Sequence, residues 1–212
     1  MKKETKENKP GSLITDKPGS LITDKPGSLI TDKPGSLITD KPGSLITDKP
    51  GSYVGGSFYN HNGAAANFLF LLETPEWGHY NDNAISETAY IYGGEYQLDG
   101  RESDHGFIGN VYQQDPPCAV CRTIRKSVLM VPAKLTCFDG WTMEYSGYLV
   151  AGSAMHIAAT ENICLDGKPE MVPGKGENHN GKLMYLTEAR CGSLQCPPYV
   201  NGRELTCVVC SR

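Results

Sequence analysis

Cysteine is the residue with the clearest capacity for chemistry in this chain, and the eight cysteines are unevenly spaced. Cys118-Ala-Val-Cys121 and Cys207-Val-Val-Cys210 form two Cys-x-x-Cys motifs, Cys191 and Cys196 bracket Gly192–Gln195, and Cys137 and Cys164 stand apart. Four thiolates in two such motifs could hold zinc, each motif could cycle as a redox pair, or the cysteines could close disulfides between neighbouring strands. Structural zinc motifs usually lie closer in sequence and carry tight glycine turns, which Ala-Val and Val-Val lack. A redox motif needs a helix N-terminus to lower its thiol pKa, and the β-prone flanks offer none. An even, dense set of cysteines is the pattern of an oxidising compartment, so all eight are candidate disulfide cysteines, with no metal and no cofactor expected. Cys191 most simply bonds Cys196.

Other catalytic constellations are not visible. No His-Glu-x-x-His, phosphate loop or Gly-x-Ser-x-Gly occurs, and His61, His79, His105, His156 and His179 follow no metal-ligand spacing. His61 and His156 fall at matching places in an internal repeat, which favours a shared structural role over two active sites. Glu95 and Glu188 also match, and strand carboxylates of this kind more often pair with an arginine such as Arg122 or Arg190 than move protons.

The elements that position these groups read as one unit used twice. Gly152-Ser153 answers Gly56-Ser57, Asn162 answers Asn67, Pro169-Glu170 answers Pro75-Glu76, Tyr185 and Glu188 answer Tyr92 and Glu95, and Cys207-x-x-Cys210 answers Cys118-x-x-Cys121. The spacing between partners falls steadily from 96 to 89 residues, as loop deletions would make it fall. The units span about residues 53–122 and 136–212. In the first unit, Phe68-Leu69-Phe70 stands where Cys164 would be matched, and the tail replaces the counterpart of Cys137. Loss of both together is what a bonded pair predicts, so Cys137 is expected to bond Cys164. That closure would contribute about 3–4 kcal/mol.

Residues 1–52 are of another kind. Five copies of Lys-Pro-Gly-Ser-Leu-Ile-Thr-Asp run from Lys9, and a sixth breaks off at Ser52. Pro-Gly suits a type II turn, but two apolar residues per copy cannot offset about 1–2 kcal/mol of backbone entropy per residue, so a flexible spacer is expected over a stacked array. All 18 aromatics and all cysteines lie beyond Gly51, which makes 53–212 the one domain with a core. Lysine and arginine against acids count nine to seven in residues 1–52 and eleven to seventeen beyond, a +2 tail on a −6 domain. An acidic domain has no electrostatic footprint for nucleic acid, and no run is apolar enough to span a membrane. The N-terminus lacks the apolar region of a signal peptide, so a secreted location requires that Met1 is not the natural precursor's start.

Within the domain, Asn-Gly at 62, 180 and 201 and Asp-Gly at 99, 139 and 166 signal tight turns between many short strands. Strands are expected at 66–72, 89–98, 128–131, 135–138, 144–150, 161–165, 183–189 and 204–210. Most are apolar on both faces, which predicts an all-β sandwich or compact barrel of two pseudo-repeated units. A pseudo-two-fold arrangement would line a shared core with Phe68, Phe70, Tyr92, Ile163, Tyr185 and Val208.

Several colinear strings carry a resemblance. They are Gly63-Ala-Ala-Ala-Asn-Phe-Leu-Phe-Leu71, Pro75-Glu-Trp-Gly78, Pro117-Cys-Ala-Val-Cys-Arg122, Gly140-Trp-Thr142 with Glu144-Tyr-Ser-Gly-Tyr-Leu149, and Gly202-Arg-Glu-Leu-Thr-Cys-Val-Val-Cys210. Over residues 53–212 the chain resembles the cysteine-rich C-terminal domain of invertebrate short-chain collagen-like secreted proteins. Two departures stand out: the family's opening Trp-Gly-Arg strand with its cysteine is absent, and Phe70 replaces a second cysteine. An edge of the first unit is then unfilled, or filled by the last turn of the tail. The resemblance implies an extracellular location and a spacer-borne structural or adhesive module, without a settled activity. Its expected partners are an extracellular matrix protein or a glycan, or further copies of the chain. A carbohydrate-binding module is the alternative, with Trp77, Tyr80 and Trp141 as the aromatic platform. A secreted enzyme with an unrecognised site is the third reading.

Overall fold

A computed structural model describes residues 45–46, 52–63, 65–83, 88–98, 111–118, 121–122, 125, 127–173 and 176–212. The octapeptide copies before Leu45, with their Pro-Gly turns, and the Asp99-Gly100 turn lie outside these residues. In chain order the strands are β1 (Leu45–Ile46), β2 (Ser52–Gly56), β3 (Leu69–Leu71), β4 (Tyr92–Tyr96), β5 (Pro117–Cys118), β6 (Cys121–Arg122), β7 (Val128–Pro132), β8 (Thr142–Ala151), β9 (Ile163–Asp166), β10 (Lys182–Leu186) and β11 (Thr206–Ser211). The described residues contain no helix. The protein is all-β, and nine of these strands join in one mixed sheet around a shared core, as in a sandwich. Turn chemistry follows the sequence: Gly63, Gly140 and Gly202 of the Asn-Gly and Asp-Gly pairs, and Asn180 itself, all take positive φ.

Strand pairing repeats residue for residue. β2 carries β3 on one edge and β4 and β5 on the other, and β8 carries β9, β10 and β11 in the same way. Val54 faces Phe70 as Leu149 faces Cys164, Gly56 faces Tyr92 as Ala151 faces Tyr185, and Ser52 faces Cys118 as Gly147 faces Cys207. Loops repeat too. Tyr96 N donates to Gln114 O and Gln113 N to Tyr96 O, as Ala189 N donates to Arg203 O and Gly202 N to Ala189 O. Gln113 even holds the positive φ of 58° that Gly202 holds at 77°. The registers match Gly56 to Ala151 and not to Gly152, a one-residue difference from the sequence alignment that puts each side chain on its proper face. Pro75 is exposed and Pro169 buried, so the loops carrying them differ.

Among the described residues the tail enters the fold at Leu45–Ile46 and again at Ser52. β1, from the fifth octapeptide, pairs antiparallel with β6: Ile46 faces Cys121 and Leu45 faces Arg122, where the second unit sets Met143 against Cys210 and Thr142 against Ser211. The start of β8 is thus answered by an octapeptide, and Leu45–Ile46 is strand rather than spacer. β2 begins on Ser52 of the broken sixth copy, with Tyr53-Val54 where Leu-Ile would stand.

The units meet through the only parallel ladder among the described strands, with Gly94, Glu95 and Tyr96 of β4 beside Lys182, Leu183 and Met184 of β10. A pure two-fold rotation would set Gly94 level with its counterpart Thr187. Five residues of stagger, roughly 16 Å of strand, separate the two. The pseudo-two-fold expectation is therefore corrected to a rotation with a slide. Val54, Phe68, Tyr96, Leu98 and Val111 of the first unit pack with Val150, Leu165 and Met184 of the second, and Ile163 lies against them. Val208 is fully buried, whereas Tyr92 and Tyr185 are only half-buried; the Phe70 side chain lies outside the described ones.

Three disulfides close among the described residues, and one expected pairing is overturned. Cys191 bonds Cys196, but Cys137 bonds Cys210 and Cys164 bonds Cys207. β7 ends with Pro132 opposite Cys207 and β8 begins with Thr142 opposite Ser211, so the connection must run back along β11, which lays Cys137 over Cys210. The same return path explains why residues 135–138 are bent and irregular and not the expected strand. At Gly147 the backbone of β9 comes so close that a Cβ would collide with the Leu165 carbonyl, and this approach brings Cys164 within 5.7 Å (Cα–Cα) of Cys207. What the first unit lost is therefore one member of each of two bonds.

Separations of 43 and 5 residues set the expected worth of two of these bonds. On the chain-entropy relation, removing Cys164–Cys207 as the double alanine variant should cost about 4 kcal/mol, and removing Cys191–Cys196 about 2 kcal/mol. Urea denaturation of the two variants against the parent measures both.

Candidate functional site

Lys182 opens β10 at the junction of the units and is 1% exposed. Its aliphatic stem lies along β2, where a Cβ on Gly56 would sit 2.9 Å from Lys182 Cγ and Cδ, so that strand position requires glycine. The ammonium donates to Ser57 Oγ (3.0 Å) and to the Ala66 carbonyl (3.1 Å), and lies 5.1 Å from the Phe68 ring centroid. Two oxygens and an aromatic face satisfy a buried cation. Burial lowers the Lys182 pKa to about 8, opposed in part by the charge of Glu161.

On the other side of Ser57 opens a cleft of about 340 Å³. Its walls are the loop carrying Asn60, His61 and Asn67 and the segment carrying Thr88 and Tyr90. Three amide side chains, Asn60, Asn62 and Asn67, line it beside the Tyr90 ring, a combination of donors, acceptors and an apolar face suited to a small polar ligand. Sequence reasoning missed this site. Asn62-Gly63 was legible only as a turn, and nothing in the order of residues says that 57–67 would face 88–91.

The histidines and carboxylates matched between the units make the following contacts. His61 N donates to Phe58 O and His156 N to Ser153 O, closing the same turn in each unit. Each ring then meets the matching tyrosine nearly edge-on: His61–Tyr92 at 5.6 Å and 72°, His156–Tyr185 at 5.4 Å and 73°. Burial lowers the pKa of His156, whose Nδ1 is buried without a hydrogen-bond partner. Glu188 does pair with Arg190 (2.8 Å). Glu95 pairs with no arginine among the described side chains, and that of Arg122 lies outside them. Glu95 Oε2 accepts from the backbone N–H of His179 (2.9 Å) and Asn180 (3.0 Å), and Gln97 Nε2 donates to Oε1, so a carboxylate only 1% exposed anchors the turn before β10.

Trp77 and Tyr80 are 76% and 69% exposed on the segment between β3 and β4, while Trp141 is half-buried in the turn before β8. No ring contact joins Trp141 to the other two among the described residues. Cys207 and Cys210 are each committed to a disulfide, which rules out a four-cysteine zinc site shared with Cys118 and Cys121 and also a redox bond within Cys207-x-x-Cys210. Cys118 is buried in the apolar core, and the Cys121 side chain lies outside the described ones. No helix among the described residues is long and apolar enough to cross a membrane.

Two titrations follow. Between pH 8 and 10 the folded chain has released the Lys182 proton that the unfolded chain still binds, so stability should rise with pH by on the order of 2 kcal/mol. Tyr96, whose pKa burial raises well above 10, opposes further gain beyond that window. Lys182→Met should abolish the rise in urea midpoints measured at pH 8, 9 and 10. In the acid range, His156 resists protonation when folded, so stability falls as pH drops below about 6.5. His156→Phe should keep the contact with Tyr185 and flatten that part of the Tm–pH curve. Compared with known proteins, the chain matches no family model, no curated protein and no solved structure.

Proposed function

We propose that the chain is a secreted structural or adhesive module that binds its extracellular partner through the segment between β3 and β4. The observation that carries this reading is that Leu72, Trp77, Tyr80, Tyr90 and Ile91, all on that one segment, are exposed large apolar side chains. Aromatic side chains left in water on a disulfide-closed domain are costly unless a partner covers them. Three disulfides favour an oxidising compartment. The resemblance to the C-terminal domain of short-chain collagen-like secreted proteins points the same way.

The second reading, a carbohydrate-binding module, is favoured by the cleft itself. Asn60, Asn62 and Asn67 can hydrogen-bond sugar hydroxyls in both senses, and Tyr90 offers a stacking face. Binding of the full chain to immobilised matrix proteins and to a glycan array separates the two readings. In the first, Trp77→Ala with Tyr80→Ala lowers matrix-protein binding at least tenfold with Tm unchanged. In the second, Asn67→Ala with Tyr90→Ala lowers glycan binding instead. Binding that survives both pairs of substitutions rejects the segment and the cleft together.

A further inference from the structure

We propose that the β6 edge is a receptor for octapeptide strands, and that the strand filling it can come from a second copy of this chain, linking chains through their tails. The receptor is a backbone ladder on Cys121–Arg122, and its occupant in the structure is Leu45–Ile46. That dipeptide is not unique. Leu13-Ile14, Leu21-Ile22, Leu29-Ile30 and Leu37-Ile38 sit in identical octapeptides. A ladder made by main-chain groups cannot tell identical segments apart. A slip by one whole copy returns Leu and Ile to the same faces and the same partners, because each position on the ladder is refilled by an identical residue. Register is thus degenerate by construction.

Stoichiometry then points between chains. Among the described residues one β6 edge takes one Leu-Ile copy, while each chain carries five. Each octapeptide carries one lysine and one aspartate and is neutral, so no net charge on a copy opposes its docking on another chain. In cis, five residues link Ile46 to Ser52, and a link that short supplies an effective concentration on the order of millimolar, so the fifth copy of the same chain wins in dilute solution. At high local concentration the other copies of neighbouring chains compete. Donor and acceptor are different surfaces, so the contact is heterologous: it closes where two chains exchange tails and grows into open or branched assemblies where they do not.

The test uses the full chain. Equal amounts of ¹⁴N- and ¹⁵N-labelled protein are mixed, concentrated to about millimolar and cross-linked through lysine and carboxylate. Light scattering across a dilution series is run in parallel. The expected result is mass that rises with concentration, together with light-tail to heavy-domain cross-links at a frequency comparable to same-isotope ones. A variant with proline at Ile14, Ile22, Ile30, Ile38 and Ile46 should lose both at least tenfold. Unchanged disulfide mapping and near-ultraviolet circular dichroism show that it is folded. Deleting Lys9–Asp40, which leaves only the copy used in cis, should weaken association several-fold with the domain intact. Same-isotope cross-links alone, a constant mass, or association that persists in the proline variant would overturn the proposal.

Discussion

The parallel contact between β4 and β10 is the constraint on which the rest of the architecture depends. Each unit by itself is a central strand with three antiparallel neighbours, and it has too little surface to enclose a core on its own. Joining the units edge to edge lets Val54, Phe68 and Tyr96 of one bury against Val150, Leu165 and Met184 of the other. Further backbone bonds hold the seam: Tyr59 N to Gly181 O, Ala158 N to Tyr59 O, Glu161 N to Ala66 O and Val172 N to Asp115 O. Polar groups at the seam are tied in with equal care. Lys182 and Glu95 are both nearly inaccessible and both hydrogen-bonded across it, so each specifies how the units meet at the cost of desolvating a charge.

Duplication left the pairing pattern intact while the means of closing it diverged. The central strand has one partner on one edge and two on the other because the ladder splits at a single residue. At Leu149 the N–H donates to Leu205 O, the carbonyl accepts from Thr187 N, and Leu205 N donates to Thr187 O. That three-way arrangement satisfies every backbone group where β10 leaves and β11 begins. In the second unit, covalent bonds hold the strands around this split, tying β9 to β11 and the β7–β8 connection to the end of β11. In the first, Phe70 faces Val54 where Cys164 faces Leu149, and an octapeptide strand stands where β8 begins. Apolar packing around Phe68 and Cys118 and a borrowed strand do there what two disulfides do in the other half.

What the sequence determined by itself was local or periodic. Positive φ at Gly63, Gly140, Asn180 and Gly202 follows from residues that adopt it most readily, and the order of landmarks from Tyr92 and Tyr185 to Cys118 and Cys207 follows from the internal repeat. The Cys191–Cys196 bond was legible because its partners are neighbours along the chain. Only the tertiary structure decided which distant cysteines meet. Paired absence of Cys137 and Cys164 counterparts looked like a lost bond, yet the return path over β11 and the close approach at Gly147 direct each to a different partner. β2 was invisible for a similar reason: Tyr-Val-Gly-Gly has the composition of a turn, and Gly56 is demanded by the stem of Lys182, a residue 126 positions away. Turns and repeats are written in nearest neighbours and survive in one dimension, whereas strand order, disulfide choice, the cleft walled by Asn67 and Tyr90, and the docking of Leu45–Ile46 depend on which edges come together once the chain has folded.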